Sequence, residues 1–98
     1  MPWFVKQETF LRPYAEMVPH LQAHRAWVEH LRGAGETLSS GYLVDGVGQP
    51  GGGGLLLLQA SCYAEAEALV LQDPMVLSGG VMWRLQEWRP SVGDLGVC

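Results

Sequence analysis

Most of the reactive chemistry in this chain rests on three histidines, two cysteines and a few carboxylates. His24 is the most informative of them. Met17, Leu21, His24, Val28 and Leu31 recur at spacings of four and three, which marks one stripe of a helix. A histidine on such a stripe is partly buried. Its plain reading is a core imidazole satisfied by one hydrogen bond. Its other reading is a general acid or base, provided a carboxylate beside it fixes the tautomer and stabilises the imidazolium. Asp73 is the candidate carboxylate, although Asp-Pro is also an ordinary helix ending and Pro74 follows it. His20 lies one turn before His24, and histidines at i and i+4 can share a metal. No acidic cluster or cysteine set completes such a site, so no metal is expected. His30 falls off the stripe and reads as solvent-facing.

The remaining candidates carry weaker signals. Gly51–Gly54 is too rich in glycine to ignore. A phosphate loop would continue into Lys-Ser/Thr and a helix; here a strand follows, and a hairpin loop is the better reading. Cys62 stands near a helix start without a catalytic partner at a useful spacing, and reads as structural. Cys98 is terminal and expected to be exposed. Ser39 and Ser40 offer hydroxyl donors at a strand end. Arg84 and Trp88 share one face of the last strand, where they suit either an anionic or aromatic ligand or a subunit interface.

These residues need elements to position them. Residues 3–7 are aromatic and β-branched and read as a first strand. The stripe from Met17 to Leu31 is a helix closed by Gly33 and Gly35. Residues 37–43 form a second strand, 45–54 a turn, and Leu55–Leu58 a strand buried on both faces. Ser61 reads as an N-cap, with residues 62–72 as a helix stopped at Asp73-Pro74. Residues 81–88 alternate: Val81, Trp83 and Leu85 point one way, and Met82, Arg84, Gln86 and Trp88 the other. The order is βαββαβ, an α+β ferredoxin-like arrangement with two helices on one face of a four-stranded antiparallel sheet. The helices run antiparallel, so the first half of helix one lies beside the end of helix two. That brings His24 toward Asp73.

The chain has 98 residues, enough for one domain, expected over 1–90 with a polar tail over 91–98. Only 16% of residues are charged against 48% hydrophobic, which is too little charge to coat a small monomer. Two helices cover one sheet face, yet Leu55–Leu58, Met82 and Trp88 put apolar groups on the other. A homodimer through that face is expected. The net charge of −4 argues against nucleic acid and against an anionic membrane surface. No stretch suits a transmembrane helix or a signal peptide, and two cysteines make no disulfide framework. A cytoplasmic protein with free thiols is expected.

One resemblance gathers these pieces. The sequence resembles the YciI-like, YCII-related family of small dimeric α+β barrel proteins. It does so through Ala23-His24-Arg25-Ala26-Trp27, Gly35, Ser40-Gly41, Gly53 to Leu58, Ala64 to Ala68, Asp73-Pro74-Met75, Ser78-Gly79 and a last strand ending in Trp88. Tyr42 and Met75 depart from the family, which often has proline and phenylalanine there. The resemblance implies a face-to-face dimer and an active site on His24 and Asp73. It also implies, by analogy of fold, small cyclic or aromatic substrates. Ser40, Gly41, Arg84 and Trp88 are expected to contact the substrate. The reading is cofactor-independent acid/base chemistry on a small organic molecule, by elimination, isomerisation or proton abstraction. The alternative is a non-enzymatic small-molecule-binding or scaffold dimer.

Overall fold

The computed structural model describes residues 1–95; the terminal Cys98 lies outside them. The chain runs β1 (Trp3–Phe10), α1 (Tyr14–Gly33), β2 (Leu38–Val44), β3 (Pro50–Gln59), α2 (Tyr63–Val70), α3 (Pro74–Leu77) and β4 (Val81–Trp88). The four strands form one sheet in the order β2-β3-β1-β4 with every neighbouring pair antiparallel. This is the ferredoxin-like α+β arrangement, with the short α3 added after α2. Among the described residues, no helix is long and apolar enough to cross a membrane.

Strand alternation sorts the side chains. On β1, Phe4, Lys6 and Glu8 are buried on one face, while Gln7 and Thr9 are exposed. Pairing puts Leu56, Leu58, Trp83 and Leu85 on the same face as Phe4, Lys6 and Glu8. Helix α1 lays Met17, His24, Val28 and Leu31 onto that face, which the 3.6-residue period requires. The main apolar cluster holds Phe4, Val28, Leu31, Leu56, Leu58 and Val70. A smaller one holds Met17, Met75 and Val81. His24 on α1 and Lys6 and Glu8 on β1 fall between the two clusters, so a polar layer crosses the core there.

Several boundaries differ from expectation for local reasons. Helix α1 includes Gly33, expected to close it, and is capped by Ala34; Gly35 at φ +94 then turns the chain, with Gly35 N–H donating to the Arg32 carbonyl and Glu36 N–H to that of Leu31. These two bonds satisfy carbonyls that a helix end leaves bare. The expected N-cap Ser61 lies one position early; Cys62, an exposed free thiol, occupies the cap of α2. Residues 50–54, expected as loop, are strand. Gly53 and Gly54 allow this, because a Cβ on Gly53 would sit 2.6 Å from the Glu8 carbonyl oxygen and one on Gly54 3.1 Å from that of Gly41. Asp73 does not merely stop a helix. Its side chain accepts the Met75 N–H and caps α3, with Pro74 in the first helical position.

Candidate active site

Asp73 enters the core because the α2–α3 turn places an N-cap residue over β1. Its carboxylate is fully buried and takes three donors. Oδ1 lies 2.8 Å from His24 Nδ1 and accepts the Met75 N–H at 2.9 Å; Oδ2 accepts from Lys6 Nζ at 2.8 Å. Lys6 also donates to the Glu8 carboxylate. At the other end of the imidazole, Nε2 lies 2.7 Å from Ser40 Oγ. Five side chains from β1, α1, β2 and the α2–α3 turn therefore form one continuous chain: Ser40, His24, Asp73, Lys6, Glu8.

The electrostatics fix the proton positions in this chain. Burial alone would raise the Asp73 carboxyl, but the hydrogen bond from His24 and the Lys6 ammonium outweigh it and hold it below the usual carboxylate range. Asp73 thus contributes stability above the ordinary carboxylate range, and that contribution is lost as pH falls through its lowered value. An ionised carboxylate only accepts, so the neutral imidazole carries its proton on Nδ1. Nε2 then holds the lone pair, and the Ser40 hydroxyl donates to it. The Trp27 ring packs against the imidazole, centroids 5.8 Å apart, and helps to fix its orientation.

A cavity of about 560 Å³ opens beside this chain, within the size range of small-molecule sites. His24, Ser40, Gly41 and Glu8 line it, and its walls include Phe10, Leu21 and Met75. It is thus a mostly apolar space with an imidazole, a hydroxyl and a carboxylate on its wall.

The expected site residues divide accordingly. His24 and Asp73 meet, and Ser40 and Gly41 join them at the cavity. Arg84 and Trp88 do not. They alternate with the core-facing Trp83 and Leu85 and so stand on the opposite face of the sheet. Their strand is also the far edge from β2. The sequence reading missed Lys6 and Glu8. The signal was the period of two: carried on to Phe10, β1 reads Phe4, Lys6, Glu8 and Phe10 on one face. Opposite charges two residues apart on an inward face are candidates for a buried pair.

Known proteins share this framework. The profile of the YCII-related domain matches residues 4–89. No curated protein gives a significant match to the sequence. Among solved structures, a similar one is the 5-chloro-2-hydroxyhydroquinone dehydrochlorinase from Burkholderia phenoliruptrix AC1100, in complex with 2,5-dihydroxybenzoquinone. It is 20% identical, with a TM-score of 0.70 over 90% of this chain and 95% of that one.

Proposed function

The chain belongs to the YCII-related domain family, and from that premise we propose that it catalyses cofactor-independent proton transfer on a small organic molecule. The reaction class is elimination, isomerisation or a related lyase step. The observation that carries this reading is the carboxylate-held imidazole: His24 Nδ1 lies 2.8 Å from the buried Asp73 carboxylate, Nε2 lies 2.7 Å from Ser40 Oγ, and both His24 and Ser40 line the cavity.

His24 Nε2 takes a proton from substrate once the Ser40 hydroxyl swings aside about χ1. The imidazolium that forms faces Asp73, which stabilises it without taking the proton itself. His24 then returns the proton to a leaving group or a neighbouring atom. The apolar wall selects a compact, weakly polar substrate, and the hydroxyl of Ser40 holds its polar edge. The dehydrochlorinase of the same fold supports a lyase-type reaction on a ring compound.

The test is proton exchange and chloride release. Small cyclic enols and 5-chloro-2-hydroxyhydroquinone are incubated with the protein in heavy water and followed by NMR and chloride detection. Faster exchange or release than in buffer, dependent on His24, is expected. Rates no higher than those of the His24→Ala variant for every compound would reject the reading.

A dimer through the open sheet face, closing a barrel, belongs to the same proposal. That face carries Trp3, Val5, Leu55, Leu57, Met82 and Trp88, with Met82 66% exposed. So much apolar area on one face is unusual for a monomer. Sedimentation at micromolar concentration is expected to give twice the chain mass; a single-chain mass would reject the dimer.

A further inference from the structure

Proton transfer to and from a bound molecule does not require a hydroxyl on the lone pair of the base. The site nevertheless has one. Ser40 Oγ lies 2.7 Å from His24 Nε2, and His24 Nδ1 lies 2.8 Å from Asp73 Oδ1. Hydroxyl, imidazole and buried carboxylate stand in the order that activates a nucleophilic oxygen. Ser39, the neighbouring serine, alternates to the other side of β2 and cannot share the arrangement.

The backbone adds a second element. Gln59 N–H donates to the Thr37 carbonyl at 2.9 Å, and the register continues as Leu38↔Leu58, Ser40↔Leu56 and Tyr42↔Gly54. Antiparallel pairing alternates hydrogen-bonded and non-hydrogen-bonded pairs. Ser39 and Gly41 therefore bond to β3, in accord with the Gly41 carbonyl lying against Gly54. The Ser40 amide points the opposite way. Since β2 is the outer strand of the sheet, that N–H has no strand partner among the described residues. An unpaired amide on the nucleophile's own residue is the donor that a developing oxyanion needs. Ser40 is also exposed, so an acyl group can reach its oxygen.

We infer that this site has a second activity, acyl transfer from small aryl or enol esters and lactones through an acyl-Ser40 intermediate. Ser40 Oγ attacks the ester carbonyl, forming a C–O bond, while its proton passes to His24 Nε2. The tetrahedral oxyanion meets the Ser40 N–H. It collapses with cleavage of the ester C–O bond, and the departing phenolate or enolate takes the proton from His24. Water then attacks the acyl-serine, giving one proton to His24 and releasing the carboxylic acid as the proton returns to Ser40 Oγ. No oxidant, metal or nucleotide enters the balance. A single backbone donor favours substrates with a stable leaving anion, and the walls at Phe10 and Tyr14 accept an aryl ring.

The reaction shares His24 and Asp73 with the proposed proton transfer but not its substrate, so the two can fail separately. The experiment uses p-nitrophenyl acetate with the full-length protein, read as a burst of p-nitrophenolate and as peptide mass after an acid quench. The expected result is near-stoichiometric acetyl on Ser40. Ser40→Ala loses the burst, and Asp73→Asn slows acylation by about a hundredfold or more. Folding of both variants is checked by circular dichroism, and Ser40→Cys is expected to regain acylation. An equal burst in Ser40→Ala, or acetyl found on His24 or a lysine instead of Ser40, would overturn the inference. So would a protein that accelerates proton exchange but leaves Ser40 unacylated.

Discussion

Replacing His24 by alanine is expected to lower turnover about a hundred- to ten-thousand-fold, the usual worth of a positioned general acid or base. The fold should survive. Asp73 would still accept from Lys6 and from the Met75 N–H, so no charge is left without partners. His24 is only 6% exposed and sits between two apolar clusters, so a modest loss of packing is expected as well. His24→Gln separates the two effects. Its amide can still donate to Asp73 and fill much of the space, but it cannot take up and return a proton at neutral pH. Loss of turnover in both variants, with circular dichroism like the parent's, is the expected result. Turnover retained in His24→Gln would move the chemistry elsewhere.

Replacing Lys6 by methionine should have the largest effect on stability. The Lys6 ammonium is buried and bonds two buried carboxylates, Glu8 and Asp73. Methionine keeps most of the apolar stem and removes the charge. The cost is about 3–5 kcal/mol, because the remaining carboxylates lose the cation that compensated them. By contrast, the Arg32–Glu29 pair is more than half exposed at both ends, and its removal should cost under about 1 kcal/mol. The double variant Lys6→Met/Glu8→Gln should lose less than the single one, since one orphaned charge is removed with its partner. Urea unfolding at fixed protein concentration measures all three. A Lys6→Met variant as stable as the parent would mean that the charge chain is not a structural element.

The His24–Asp73 pair was legible because two strong rules meet there. The helical stripe fixed the inward face of α1, and the antiparallel helices brought the α2–α3 turn beside it. Ser40 was visible as a donor but not as the partner of Nε2, since that contact depends on how α1 sits over the outer strand. Lys6 and Glu8 stayed hidden because charge after three apolar residues looks like a strand end. Only the long-range pairing of Lys6 with Asp73 makes an inward lysine tolerable. The first half of β3 was equally non-local: Pro50–Gly54 has no strand propensity of its own, and its pairing exists because glycine lets β3 approach the Glu8 carbonyl. Arg84 and Trp88 were assigned the right mutual face. The core-facing Val81 and Leu85 already implied that this face turns away from the helices and hence from His24.

The central claim is that Asp73 holds the His24 proton on Nδ1 and leaves Nε2 as the base at the cavity. Nitrogen NMR of isotope-labelled protein, at a pH where the imidazole is neutral, reads this directly. A protonated Nδ1 and a bare Nε2 are predicted for the parent, with the preference lost in Asp73→Asn. A parent spectrum showing the proton on Nε2 would contradict the claim, because the lone pair would then face Asp73 and no base would face the cavity.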